Sequence, residues 1–420
     1  MAFASTPIDA LDAETGPVRP TERIAILDIL RGFALFGILV MNLPGFNTPW
    51  AIYSSGQVPY PGWYNRVADW VTATFFEGKF NAIFSFLFGV GLTIQLERAA
   101  AKNTPFVRVY LRRLFTLFLF GVAHMVFLWD GDVLHMYAVL GLGLLLIRHW
   151  PDKALLPLAT VILIVPVAKS SYDLYLNEPG RHTKEYWLQR ATEQTRVYSS
   201  GTYFEILQTR LAEVAEGYLD NAWWIFWCSL AVTMLLGFVV GRRRIVQNLA
   251  QQTSLIRNVF NASLALGVIT GSMLATFEVL ADRTDATTVL GTLTSTFYQL
   301  NRPLLSMAYI TGLTLLSMRP GWSERLAPLA SVGRMPLTNY LMQSVICSLL
   351  FYSYGLALFG KVGSAGNFLV ALAIYAFQVL YSNLWMAHFQ YGPLEWLWRL
   401  LTYGKVPPMR ARGATISEAG

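Results

Sequence analysis

The chain has 420 residues, of which 54% are apolar and only 14% charged, with a formal net charge of +7 and a mean hydropathy of +0.43. Soluble domains carry about 25% charged residues, so this chain has too little charge to cover a water-facing surface of its size, and a soluble enzyme of one to three domains is excluded. The two cysteines, Cys228 and Cys347, both lie inside apolar runs, which excludes a disulfide scaffold and points to unpaired thiols.

Residues 1–22 are acidic, contain Pro7, Pro17 and Pro20, and lack the basic start and short apolar core of a signal peptide. They read as a flexible cytoplasmic tail. A spanning helix needs roughly 20 mostly apolar residues. About ten such runs follow, at 24–45, 75–96, 109–129, 132–148, 154–176, 222–241, 258–280, 297–317, 332–353 and 366–388. The second opens on the polar stretch Glu77-Gly78-Lys79-Phe80-Asn81, which predicts an irregular end. Between the fifth and sixth runs, 177–221 mixes charges of both signs at helix-compatible spacing ahead of Trp223-Trp224. It predicts one or two helices along the outer surface. After the tenth run, GPLEWLWRLLTYG reads as a short interfacial helix anchored by its tryptophans, and 406–420 as a second flexible tail.

Of the 32 Lys and Arg residues, 21 fall in the alternate segments on the N-terminal side, ten on the other side, and Lys169 within a span. Basic residues gather in cytoplasmic segments, which places both termini inside. This distribution also accounts for the positive charge by orientation and lipid headgroups, with no nucleic acid needed. The expected fold is an all-α integral membrane protein of about ten transmembrane helices. It is one polytopic domain over 23–405, with an extracytoplasmic helical loop at 177–221.

A charge at the bilayer centre costs about 2.5–3.5 kcal/mol on insertion scales, so each one asks for a partner or a purpose. Asp28 and Arg31 stand three apart in the first span and read as an ion pair. Glu395 and Arg399 read as a second structural pair. The outer half is richer. Asn42, Glu77, Lys79, Asn81, His124, Asp130, Asp132, His135, Tyr137, Asn301 and Arg302 fall at a similar depth and predict a polar cavity. Within it, His124 is the best candidate base, because a neutral imidazole takes a proton near pH 7 and a carboxylate such as Asp132 or Asp130 fixes its tautomer. Asp132 and His135 alone are too few ligands for a metal. His149 and His182 read as surface residues and His388 as an inner-end polar contact. Asn339 and Gln343, one turn apart beside Ser344, read as interhelical hydrogen-bonding groups. No Gly-rich phosphate loop and no GxSxG is present. The basic cluster Arg108, Arg112 and Arg113 reads as a lipid-facing or phosphate-binding patch.

Several segments resemble the YeiB family of bacterial inner-membrane proteins, a domain of unknown function. They are RIAILDILRGFALFGILVMN, FFEGKFNAIFSFLFGVG, GVAHMVFLWDGDVLHMYAVLG, SVGRMPLTNYLMQSVI and GPLEWLWRLLTYGK. This resemblance implies a multi-pass protein of the bacterial cytoplasmic membrane. More distantly, the first span is similar to that of the transmembrane acyltransferase superfamily. This group includes the type-3 sugar O-acyltransferases, which carry Arg, ten residues, then His. Here Arg31 is followed after ten residues by Asn42, so the base must come from another span, and His124 fills that place. The likeness implies acyl transfer from cytosolic acyl-CoA, a co-substrate and not a bound cofactor, to an acceptor at the outer face. Asp132 would orient His124, Arg31 and Asn42 would support the polar core, and Arg108, Arg112 and Arg113 would meet the CoA phosphates. The competing reading is a transporter or lipid exporter with His124 and Asp132 as a proton relay. For it, Gly89, Gly91, Pro166, Pro303 and Pro336 are candidate helix breaks. The expected partners are membrane lipids, an acyl-CoA and an acceptor, with a second copy of the chain also admitted.

Overall fold

The computed structural model describes residues 24–103, 106–176, 183–219, 224–280 and 289–410. The tail expected at 1–22, most of that expected at 406–420, His182 and Trp223 lie outside the described residues. Within them the chain is helical, with no named strand; a lone antiparallel bridge joins Phe389 and Arg410. In chain order the helices are α1 (Ala25–Asn47), α2 (Trp50–Ser54), α3 (Trp63–Val71), α4 (Lys79–Ala101), α5 (Phe106–Phe127), α6 (Leu134–Leu146), α7 (Asp152–Leu176) and α8 (Lys184–Ser200). They continue as α9 (Tyr203–Leu219), α10 (Trp224–Arg242), α11 (Thr253–Leu280), α12 (Val289–Ser317), α13 (Trp322–Arg334), α14 (Pro336–Phe351), α15 (Ser364–His388) and α16 (Pro393–Tyr403).

Nine of the ten apolar runs fall mainly on one helix each, and the run at 332–353 is divided at Met335 between the end of α13 and α14. Among the described residues, five candidate spans are long and apolar enough to cross a bilayer: α1, the stretch Trp63–Ala101 that carries α3 and α4, α5, α10 and α15. Their outer faces say the same. Leu119 and Phe115 on α5 and Leu380 and Leu384 on α15 are at least half exposed. A helix that stays apolar on its outward side is matched to lipid, not water. The chain is an all-helical membrane protein.

α1 runs through the middle of the bundle, with Ala34, Leu35, Leu39 and Leu43 fully buried. It crosses α13 backbone to backbone. A Cβ on Gly32 would stand 2.0 Å from the Leu329 carbonyl oxygen, and one on Gly333 would stand 1.8 Å from that of Asp28. Only glycine permits this approach. The Tyr375 hydroxyl on α15 donates to the Gly32 carbonyl (2.7 Å), closing the same crossing from the other side.

The irregular opening of the second run takes the form of a π-helical turn at Thr72–Phe76, followed by Gly78 at φ 73°. Among the candidate breaks, α4 continues through Gly89 and Gly91, α7 through Pro166 and α12 through Pro303. Pro336 does interrupt, because it forces Met335 out of helical geometry (φ −121°, ψ 46°) and starts α14 at its own first position. The segment between the fifth and sixth runs forms two helices, α8 and α9, tied by Arg190 to Glu216 at 2.9 Å.

Candidate functional site: a buried His–Asp–His cluster above an arginine-lined cavity

The α5–α6 hairpin is built around one carboxylate. α5 ends where the His124 carbonyl accepts the amides of both Leu128 and Trp129 (2.9 Å each). Trp129 then folds back to stack on Phe46 of α1, with centroids 4.6 Å apart. Asp132 closes the turn before α6 by accepting the His135 amide at Oδ1 (3.0 Å), the use of aspartate at helix starts. Its two oxygens also take one imidazole each: His124 Nδ1 at 2.8 Å and His135 Nδ1 at 2.7 Å. The hairpin sits this close because Gly121 faces it. A Cβ there would stand 2.4 Å from the His135 amide nitrogen and 2.6 Å from Asp132 Oδ1.

A carboxylate only accepts, so both histidines carry their proton on Nδ1 and turn a lone pair on Nε2 outward. His124 Nε2 meets the Ser344 hydroxyl of α14 at 2.7 Å. His135 Nε2 accepts from the Tyr218 hydroxyl of α9. Ser344, His124, Asp132, His135 and Tyr218 thus form one hydrogen-bonded chain. Its first four members are buried, and Tyr218 reaches the surface at 40% exposure.

Below this chain lies a cavity of about 320 Å³ between α1, α4, α5, α6, α13, α14 and α16, within the size range of small-ligand sites. Its upper wall is apolar or aromatic: Ile38, Leu87, Leu117, Val133, Tyr137 and Tyr340. The Tyr340 ring stands between the cavity and His124, with centroids 5.1 Å apart. Among the described residues, its buried hydroxyl donates to no acceptor. Ser344 lies one helical turn above Tyr340, on the same face of α14. The opposite end is basic. Arg31, Arg98, Arg113, Arg334 and Arg399 line it, against the carboxylates of Asp28 and Glu395.

Both carboxylates are engaged. Asp28 pairs with Arg31 at 2.5 Å. Glu395 caps α14, taking the amides of Leu337 (2.6 Å) and Thr338 (3.0 Å) and the Thr338 hydroxyl (2.6 Å). Its expected partner Arg399 lies with its guanidinium over Tyr391, 4.3 Å from the ring centroid. Arg113 lies over Trp398 at 4.1 Å, fixing α16 against α5.

The other sequence-chosen residues divide. Arg113 lines the cavity, whereas Arg108 and Arg112 stand on the exposed face of α5. Tyr137 lines it too, and its hydroxyl donates to the Asn81 carbonyl (2.9 Å). Glu77, Lys79 and Arg302 gather elsewhere, between the π turn, α4 and α12. There Tyr298 donates to Glu77, the Arg302 guanidinium covers Tyr298 at 3.7 Å, and Lys79 Nζ donates to the Ala73 carbonyl (2.8 Å). Asn42 is half-buried on α1 and takes no part in the chain around His124. Asn339 and Gln343 bridge helices, to Ser382 at 3.0 Å and to Gln378 at 2.8 Å. Among the described residues, no group of three His, Cys, Asp or Glu side chains could hold a metal ion. Ser344, Tyr218, Tyr340, Arg98 and Arg334 join the site without having been singled out for it from sequence.

A family model described as a protein of unknown function (DUF418) matches residues 240–405. Over its length the chain is similar to the uncharacterized protein YxaH of Bacillus subtilis, at 34% identity across 92% of this chain and 96% of that one. It is similar also to an uncharacterized 39.9 kDa protein in the amylase 3' region of Bacillus acidopullulyticus, at 31% identity across 94% and 97%. The uncharacterized protein YeiB of Escherichia coli is 28% identical across 94% and 99%. With relatives of this identity along nearly all of its length, the chain belongs to the YeiB-like DUF418 family of bacterial proteins.

Proposed function

We propose that this protein is a multi-pass acyltransferase of the bacterial cytoplasmic membrane, moving an acyl group from cytosolic acyl-CoA to an acceptor at the outer face, with His124 as general base. The observation that carries this reading is the alignment of three features: an arginine-lined mouth, an apolar bore, and a buried histidine–carboxylate pair just beyond the bore's end. Basic residues mark the cytoplasmic ends of spans, so the mouth faces the cytoplasm and both termini lie inside. Guanidinium groups there match the diphosphate and phosphate of CoA. The bore accepts the pantetheine arm and acyl chain, and the thioester carbonyl stops beneath Tyr340.

A thioester is already activated, so one base and one or two donors at the carbonyl oxygen are chemistry enough. His124 can supply the base, since its Nδ1 proton rests on Asp132 and its Nε2 lone pair is aimed at a hydroxyl. The proton taken from the acyl-accepting hydroxyl then leaves with the thiolate of CoA.

The test is binding of acetyl-CoA and decanoyl-CoA to the full-length protein in lipid nanodiscs. Wild type is compared with the triple variant R98Q/R113Q/R334Q, and with R108Q/R112Q on the exposed face. The expected result is binding to wild type and to the double variant, weakened at least about tenfold in the triple variant, or roughly 1.4 kcal/mol. Folded wild-type protein that binds neither thioester overturns the reading. Proton-coupled transport through the same polar core then takes its place.

A further inference from the structure

Among the described residues, the Ser344 hydroxyl is the partner of the His124 Nε2 lone pair. An acceptor attacking in a single step would first have to displace it. We propose instead that Ser344 is itself the nucleophile and carries the acyl group as an O-acyl-serine between donor and acceptor. This inference rests on the acyltransferase reading above.

The geometry is that of an activated nucleophile: a hydroxyl 2.7 Å from the base, and the base 2.8 Å from the carboxylate that orients it. The three side chains come from α14, α5 and the hairpin before α6, and all three are buried. A seryl group there is shielded from water, which prevents loss of the acyl group by hydrolysis. Position along α14 supplies the link to the donor. Tyr340 forms the end of the cavity, and Ser344 follows four residues on, about 6 Å further along the helix. The Tyr340 hydroxyl, buried and donating to no acceptor, supplies a proton donor for the carbonyl oxygen.

The two half-reactions balance without any further reagent. In the first, the Ser344 Oγ–H proton passes to His124 Nε2 as Oγ attacks the thioester carbonyl. The C–S bond breaks, and the CoA thiolate takes the proton from the imidazolium and leaves through the basic mouth. In the second, an acceptor hydroxyl or amine gives its proton to His124 and attacks the ester carbonyl. The Ser344 C–O bond breaks, and Oγ recovers the proton. Donor and acceptor then use opposite ends of the site in turn, and neither needs the other present.

The test needs no acceptor. Wild type in nanodiscs is mixed with acetyl-CoA or decanoyl-CoA and quenched in acid. Released CoA thiol is followed in time, and the protein is digested and mapped by mass spectrometry. The expected result is a burst of about one thiol per chain and an acyl group on the peptide containing Ser344. S344A and H124A lose both burst and adduct while keeping acyl-CoA binding. S344C gives a thioester adduct, which neutral hydroxylamine cleaves to a hydroxamate. In wild type, hydroxylamine as surrogate acceptor gives ping-pong kinetics. A wild type that makes hydroxamate with no burst or adduct, or an S344A that makes it at the wild-type rate, overturns the serine intermediate and leaves direct transfer by His124. A wild type that neither binds nor turns over acyl-CoA overturns the parent reading, and the serine proposal with it.

Discussion

Replacing Glu395 by alanine will loosen the joint between α13 and α14. That side chain accepts three hydrogen bonds at 2.6, 3.0 and 2.6 Å, two of them from amides at the start of a helix whose preceding residue is turned away from helical geometry. As first-turn amides, those of Leu337 and Thr338 have no intrahelical acceptor. The Thr338 hydroxyl can turn elsewhere. Two stranded buried donors at about 1–3 kcal/mol each give a loss centred near 4 kcal/mol. Glutamine keeps one oxygen for both amides and offers its amide nitrogen to the Thr338 hydroxyl, so Glu395→Gln will cost only about 1 kcal/mol. The assay is chemical or thermal unfolding of the purified protein in detergent, followed by circular dichroism and by a thiol probe on buried Cys347. An alanine variant within about 1 kcal/mol of wild type, or a glutamine variant as damaged as alanine, would refute this role for Glu395.

Asp132→Asn keeps the shape of the cluster but turns a donor toward His124, which moves the imidazole proton to Nε2 and removes the lone pair facing Ser344. Thiol release from acyl-CoA should fall by about 10²–10⁴ with binding unchanged, and an unaltered rate would refute the tautomer argument. Gly121→Ala should force the hairpin off α5 at a cost of about 1–3 kcal/mol, read by unfolding, with loss of thiol release out of proportion to that cost. Burial and the nearby Asp130 push the Glu213 carboxyl on α9 up to about 7 from an ordinary 4.5, while Tyr198 and Gln194 donate to it at 2.8 and 2.7 Å. Its raised value means that its contribution to stability is complete below about pH 4.5 and is lost as pH rises through about 7. The melting temperature of wild type should fall across that window, and that of Glu213→Gln should not; parallel profiles would contradict this.

Much of this architecture is legible in the sequence because lipid imposes it: the apolar runs long enough to span fall on helices, all but 332–353 on one each. The His124–Asp132 pair is legible for a different reason. Eight residues joined by a tight hairpin bring the two side chains to one depth, and Asp132 and His135 are i, i+3. Ser344 is not legible as its third member, since its partner lies 220 residues away and nothing local distinguishes it from the hydrogen-bonding groups beside it. The cavity shows how adjacency in sequence misleads. Arg108, Arg112 and Arg113 form one cluster in the sequence, but α5 buries Tyr110, Leu114, Leu117, Gly121 and His124 at spacings of three and four. That stripe turns Arg113 inward and the other two out, and a helical-wheel reading would have separated them. The remaining arginines of the mouth come from α1, α4, α13 and α16, and only their packing brings them together. The prolines differ in outcome: Pro303 sits inside α12, while Pro336 turns Met335 out of helical geometry and divides α13 from α14.

The most direct measurement is a cryo-EM structure of the protein in nanodiscs with decanoyl-CoA bound to S344A, which holds the donor before reaction. The CoA phosphates should lie among Arg98, Arg113 and Arg334, the chain along the bore, and the thioester carbonyl beside Tyr340 and beneath His124. Density for the thioester anywhere else, or a cavity filled by membrane lipid while decanoyl-CoA binds on the exposed face at Arg108 and Arg112, would contradict this placement.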